Sequence, residues 1–263
     1  MQFRTPLTYY GGKQKLLPFI LPRISKHTSY IEPFVGGGAV FWAKEPADME
    51  VLNDTNRELM NFYRVVQQDY VALEKEIRIT LHSRDLHRKA WVIYTNPDMF
   101  SEIKRAWAVW VLSSQSFSSK IDGSWGYDKT GNQTSKKVQS HKERFTEDLA
   151  IRLQNAQLEC TDALYIIKSR DTKNTFFYCD PPYYNSDCGH YDGYSLQDYE
   201  NLLSTLATIK GKFLLSSYPS EILLQYAKKH KWSMFSVEQK VSVNSKSGYL
   251  KRKTEVLTAN YLL

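Results

Sequence analysis

The run Asp180-Pro181-Pro182-Tyr183 closes an apolar, aromatic stretch, Phe176-Phe177-Tyr178-Cys179. Proline has no N–H to donate and a fixed φ. The Asp180 carboxylate and the carbonyls of Pro181 and Pro182 therefore form a rigid group of acceptors with almost no donors. Such a group suits a ligand that offers two N–H bonds, an amino group, and Tyr183 adds a flat aromatic face beside it. A second constellation lies near the N-terminus. Glu32-Pro33-Phe34-Val35 runs into Gly36-Gly37-Gly38. Glycines there allow a tight turn and close approach of backbone to a ligand. Asp54 follows 22 positions after Glu32, about the spacing at which nucleoside-binding sheets set an acid against ribose hydroxyls. The glycine run is neither GxGxxG nor a P-loop, since no Lys-Ser/Thr follows it.

The elements that must carry these residues alternate. Residues 30–34 read as a short strand, the glycines as a turn, Ala39-Val40-Phe41-Trp42 as the start of a helix, and Met49-Glu50-Val51-Leu52 as a second strand ending at Asn53-Asp54. This is a βαβ unit of the parallel-sheet kind. From about Asn61 to Gln154 helical patterns dominate, notably Val65 to Leu81 and Phe100 to Ser114. Between them and the next helix the stretch 116–137 is polar, basic and aromatic, with turn signals at Asp122-Gly123 and Thr130-Gly131-Asn132. It reads as a hairpin or loop. Alternation returns with strands at Gln157–Cys160, Thr175–Cys179, Lys212–Ser216 and Thr254–Leu262. A capping box, Ser195-Leu196-Gln197-Asp198, starts a helix reaching Lys210. The fold class is α/β, in two pieces, 1–58 and 157–263, with a mainly helical insertion at 59–156. In such sheets ligands bind at the carboxyl ends of strands, where Glu32, Asp54, Asp162 and Asp180 fall.

The motifs Tyr9-Tyr10-Gly11-Gly12-Lys13, Glu32 to Gly38, Asn53-Asp54-Thr55-Asn56 and Asp180-Pro181-Pro182-Tyr183 occur in that order. Together they resemble the Dam-type (D12 class) site-specific DNA adenine-N6 methyltransferases, across both α/β pieces. The resemblance implies a Rossmann-like sheet dependent on S-adenosyl-L-methionine, with a target-recognition domain where the insertion lies. It implies a cofactor site at Tyr9, Lys13, Glu32, Phe34, Gly36, Gly38, Asp54, Asp162 and Asp180, with Lys13 near the methionine carboxylate. Asp162 falls where the family has an acid near the cofactor's adenine, but Ala163 stands where a Phe is usual. Asp180, Pro181, Pro182 and Tyr183 match the catalytic motif, acting on an adenine flipped out of the duplex.

In the insertion, Lys120, Trp125, Tyr127, Asn132, Lys136 and Lys137 are the candidates for DNA contact, since Asn can read adenine and Lys guanine or phosphate. The net charge is +7 and the pI about 9.1. Between Tyr226 and Lys253 eight Lys or Arg face one Glu; its end, 246–253, suits backbone phosphates. The expected partner is double-stranded DNA, with a cognate restriction endonuclease as a functional partner open to it, and the protein a monomer or weak dimer. Three cysteines without a CxxC pair and scattered histidines give no metal or disulfide framework. The absence of a long apolar run or an N-terminal apolar core leads to the expectation of a cytoplasmic protein, bacterial or phage-encoded. The motif's chemistry also admits other planar amines: RNA adenine, cytosine N4 or a protein amide. A reading of another class is a non-catalytic nucleic-acid-binding protein on this scaffold.

Overall fold

A computed structural model describes residues 5–9, 11–184, 194–240 and 252–263. Tyr10, Cys188 and the basic residues 246–251 lie outside the described residues, as do the side chains of Arg252 and Lys253. In chain order the elements are α1 (Leu17–Ile20), β1 (Ser29–Glu32), α2 (Ala39–Ala43), β2 (Met49–Asn53), α3 (Arg57–Gln68), α4 (Tyr70–Ile79), α5 (Arg84–Thr95), α6 (Glu102–Gln115), α7 (Gln133–Glu143) and α8 (Asp148–Leu153). They continue with β3 (Ala156–Glu159), α9 (Ala163–Ser169), β4 (Thr175–Cys179), α10 (Leu196–Leu206), β5 (Lys212–Ser217), α11 (Glu221–His230), β6 (Ser233–Lys240) and β7 (Arg252–Ala259).

The strands form one seven-stranded sheet in the order β3-β2-β1-β4-β5-β7-β6. β4 pairs parallel with β1 and β5, while β7 runs antiparallel to both β5 and β6. This is a mixed, mostly parallel sheet, the Rossmann-like α/β class expected from the sequence. The order reverses between β1 and β4, and an open α/β sheet binds ligands at such a reversal. The carboxyl ends there carry Glu32 and Asp180.

By internal contacts the chain divides into two compact units. One comprises Met1–Leu17, Val35–Pro46 and Leu52–Cys160. Its centre is α6, whose residues from Arg105 to Gln115 are all buried. Ser101 caps its start by accepting the Lys104 N–H. A buried bidentate pair, Arg105 Nε and Nη2 to the two Glu58 oxygens at 2.8 and 2.6 Å, ties α6 to α3. The helical pattern from Val65 to Leu81 is two helices, not one. Asp69, at φ −130° and ψ 38°, ends α3 and starts α4. That break lets Val65 and Val66 on one helix and Leu73 and Ile77 on the next all be buried. In the stretch 116–137 the hairpin alternative has support at its start, and its end is helical. A bridge joins Ser116 to Trp125, and α7 begins at Gln133 because the Asp128 carboxylate accepts the Thr134 N–H at 2.6 Å. That charge-assisted contact replaces a cap from Asn132, whose side chain makes none.

The other unit comprises Pro18–Phe34, Ala47–Val51 and Thr161–Leu263. Its sheet is buried on both faces: on one, Ile31, Phe177, Cys179, Phe213, Leu215 and Val256 pack under Ile166, Leu202, Leu203 and Leu223 of the helices, and on the other lie Tyr30, Phe176, Leu214 and Leu257. The Ser195–Asp198 capping box is present. β6 has no counterpart in the strand pattern read from the sequence. Its run, Ser233-Met234-Phe235-Ser236-Val237-Glu238, is too polar to stand out, and β7 supplies its partner.

Candidate functional site

In the first unit the glycine turn is built around Tyr9. A Cβ on Gly37 would sit 2.8 Å from the Tyr9 Cβ, and Gly36 and Gly38 have φ of +46° and +64°. These are left-handed values that favour glycine, and they explain why three glycines stand together. The Asp54 carboxylate fastens the turn. Its Oδ2 accepts the Gly36 N–H at 3.0 Å and its Oδ1 the Asn56 N–H at 2.9 Å. Each carboxylate oxygen has two acceptor positions, so the carboxylate as a whole retains capacity toward a ligand hydroxyl. Burial raises the Asp54 pKa, against the opposing pull of backbone N–H groups at Asn56, Gly36 and Thr55. Tyr63 donates to the Gly36 carbonyl at 2.6 Å. Asn56 caps α3 through the Glu58 and Leu59 N–H groups and reaches the Tyr94 hydroxyl at 3.0 Å. Lys13 is buried, its ammonium 3.0 Å from the Gly11 carbonyl. Tyr9, Lys13, Gly36, Gly38 and Asp54 thus share this unit.

In the second unit Glu32, at the end of β1, is buried and accepts the Tyr30 hydroxyl at 2.6 Å. Phe34 packs, half-buried, against the apolar core. Asp162 caps α9, its Oδ1 accepting the Tyr165 N–H at 2.8 Å. Cys179 pairs with Leu215, so Asp180 falls next along β4 beside Ser216, on the face opposite the apolar core. Asp180 is half-buried, Pro181 buried and Pro182 half-buried. Tyr183 is only 9% exposed. Its hydroxyl lies 2.7 Å from Glu255 Oε2 and 3.3 Å from both Asp180 Oδ1 and Ser216 Oγ. Burial first, then the charges of Asp180 and Glu255, pushes that phenol well above its ordinary pKa, so it stays a proton donor. The Tyr218 ring meets it edge to face, centroids 4.4 Å apart. The Cys179 thiol is held protonated by burial and by Asp180.

The residues expected to contact DNA lie in the first unit. Trp125 is half-buried in a stack. The His82 ring lies 4.8 Å away on it, Tyr127 at 5.5 Å, and the Arg84 guanidinium spans both at 4.8 and 5.4 Å. His82 is itself fixed between Ser135 and the Gly126 carbonyl. Tyr127, Asn132 and Lys136 are exposed and Lys120 half-buried. Lys137 is also exposed, but it donates to Ser119 at 3.2 Å, and partial desolvation of its ammonium lowers its pKa.

Residues 9–244 match the family described as D12 class N6 adenine-specific DNA methyltransferase. The chain belongs to this family. It is a DNA adenine-N6 methyltransferase, and the four motifs lie within or at the edge of the matched span. The methyltransferase is 25% identical to the type II methyltransferase M1.LlaDCHI of Lactococcus lactis subsp. cremoris, over 95% of this chain and 93% of that one. It is 24% identical to a DNA adenine methylase of Salmonella typhi, over 98% and 95%. The modification methylase StsI of Streptococcus sanguinis is 25% identical over 98% of this chain and 43% of its own length.

Glu255, Ser216, Tyr218, His82 and Arg84 were not singled out from the sequence. Glu255 left one signal: it is the acid on a strand whose next residues, Val256-Leu257, are apolar.

Proposed function

We propose that the protein methylates N6 of adenine at a specific site in double-stranded DNA, with S-adenosylmethionine as methyl donor. The observation that carries this reading is Asp180 at the carboxyl end of β4, at the sheet's reversal, followed by two prolines, in a member of this family. The glycine turn suits such a donor, because only a side-chain-free backbone fits against Tyr9 there, and Asp54 keeps acceptor capacity for ribose hydroxyls. Tyr9, Lys13, Glu32, Phe34, Gly36, Gly38, Asp54 and Asp162 are the proposed cofactor residues; Asp162 also serves α9 as its cap. When bound, the donor supplies an electrophilic methyl on a cationic sulfur.

The chain's own residues then act on the amine. An exocyclic adenine amine is a poor nucleophile because its lone pair is delocalised into the ring. Asp180 and the Pro181 carbonyl accept its two N–H groups and favour a pyramidal nitrogen. Positioning and electrostatics supply most of such a step. The amine becomes strongly acidic only as it is methylated, so Asp180 takes the proton without being a strong base. The target base must leave the duplex, at a cost of a few kcal/mol. Tyr183 offers the aromatic surface that recovers part of it, ~1–3 kcal/mol.

Residues 59–156 serve as the target-recognition domain, with 1–58 and 157–263 forming the catalytic one. Within it Tyr127, Asn132, Lys136 and Lys120 are the proposed DNA contacts. Trp125 acts as the platform behind Tyr127, and Lys137 braces the loop at Ser119. The enzyme works in the cytoplasm of a bacterium, and a restriction endonuclease is its functional partner if it serves as a type II modification enzyme. Labelled S-adenosylmethionine and genomic DNA, followed by nucleoside analysis and methylation-aware sequencing, test the reading. N6-methyladenine in one sequence context is the expected product; label in cytosine, in RNA alone or in nothing overturns it.

A further inference from the structure

The Tyr183 hydroxyl has one proton to donate, and among the described residues three side-chain oxygens lie within 3.3 Å of it. Glu255 Oε2 is nearest at 2.7 Å, against 3.3 Å for Asp180 Oδ1 and for Ser216 Oγ. A hydroxyl bonded to a carboxylate sits at about 2.5–2.7 Å, so the proton goes to Glu255. The surroundings hold it there. Glu255 is 5% exposed and Ser216 fully buried. β7 is clamped on both sides, with Glu255 opposite Val237 of β6 and Val256 opposite Ser217 of β5. Tyr218 closes on the Tyr183 ring from its edge.

We infer that Glu255 is a positioning residue for methyl transfer: it accepts the Tyr183 hydrogen bond, and so keeps that O–H from donating to the Asp180 carboxylate. This rests on the reading of Asp180 as acceptor for the adenine amine. A phenol donating to Asp180 Oδ1 would compete with the amine for the same oxygen and draw negative charge from it. Without Glu255 the hydroxyl still has Asp180 Oδ1 and Ser216 Oγ at 3.3 Å among the described residues, and the charged oxygen is the stronger acceptor. The 2.7 Å bond also fixes the Tyr183 ring in rotation, and with it the surface offered to the flipped base.

The test is a set of variants at two positions. Glu255→Leu keeps most of the volume and removes the acceptor; the buried Tyr183 hydroxyl then loses its nearest partner, which costs stability, so rates are compared at a temperature where circular dichroism shows every variant folded. The kcat of Glu255→Leu should fall roughly 10- to 100-fold, the range for loss of a hydrogen bond to a charged group, while the cofactor Kd and the KM for DNA stay within about twofold. Glu255→Gln keeps an acceptor oxygen and should restore most of the rate. Tyr183→Phe keeps the ring and removes the proton. The double variant Glu255→Leu/Tyr183→Phe should therefore be faster than Glu255→Leu alone and match Tyr183→Phe. A carboxylate that merely supports the fold gives no such rescue.

A double variant as slow as Glu255→Leu, or a Glu255→Leu enzyme with wild-type kcat, overturns the inference and leaves the proposed function standing. Wild-type protein that methylates no adenine overturns that function, and this inference with it. If Glu255→Leu does not fold, Glu255→Met carries the same comparison.

Discussion

Replacing Asp54 with Ala tests the glycine turn and the cofactor site together. The carboxylate accepts the Gly36 N–H at 3.0 Å and the Asn56 N–H at 2.9 Å, besides a backbone contact at Thr55. Hydrogen bonds to a charged group contribute about 1.5–3 kcal/mol each, so the upper limit for the pair is about 3–6 kcal/mol. Two effects reduce it. Asp54 is half-buried, so water can reach part of what is exposed. Burial also raises its pKa, which means that the native site already opposes the charge and regains something when it is removed. A net loss of about 2–3 kcal/mol remains, a fall in Tm of roughly 4–12 °C for a chain of this size. Urea unfolding with and without S-adenosylmethionine measures both consequences. Ligand at 100 times its Kd stabilises a protein by about 2.7 kcal/mol; at that same concentration Asp54→Ala should gain far less, while its DNA affinity changes little. An unfolding midpoint within 1–2 °C of wild type would mean that the two bonds do not hold the turn. An undiminished cofactor gain would refute the ribose role.

Asp180→Ala should abolish methyl transfer with the unfolding midpoint nearly unchanged, since Asp180 is only half-buried; retained transfer rules it out as the amine acceptor. His141 predicts a pH dependence. Burial, aided by Arg144 and Lys137, pushes it from 6.5 down to about 3, and it lies 3.0 Å from the Thr8 hydroxyl. Below 6.5 the unfolded chain takes up a proton that the folded chain refuses until about pH 3. Its contribution is therefore full above pH 6.5 and is lost as pH falls, by about 1.4 kcal/mol per pH unit. Urea titrations from pH 7 to pH 5 should show that slope in the wild type and a shallower one in His141→Asn; equal slopes contradict it. Lys136→Ala should weaken DNA binding across sequences and lower the salt slope by about 1, with cofactor affinity untouched; an unchanged salt slope removes Lys136 from the interface.

Much of the catalytic half was legible in the sequence because its signals are local. Thr175–Cys179 is a continuous apolar run ended by Asp180-Pro181, and the structure has that strand with those bounds. The glycines announce a turn by themselves. What the sequence hid depends on partners far along the chain. Glu255 meets Tyr183 across 72 positions, and only the antiparallel placement of β7 beside β5 brings them together. Polar β6 owes its strand to β7. Asn132 looked like a reader or a turn residue, and α7 beside it is capped by Asp128. The stretch around Trp125 reads as a basic, aromatic hairpin or loop, but the stack of His82, Trp125, Tyr127 and Arg84 has no sequence period to announce it.

That stack has a thermodynamic consequence. Arg84 spans Trp125 and Tyr127 at 4.8 and 5.4 Å, and His82 is pinned at both ring nitrogens. Four long side chains are therefore ordered before any ligand arrives. Each rotamer-rich side chain immobilised on binding costs about 0.5–1.5 kcal/mol, and here much of that loss falls on folding. An Arg84→Ala enzyme would leave Tyr127 looser, and calorimetry of DNA binding would register a more negative entropy. If the loop contacts DNA as proposed, the stiffness of the intact stack sharpens selectivity between sites as well as the contacts do, since a rigid reader adapts poorly to the wrong sequence.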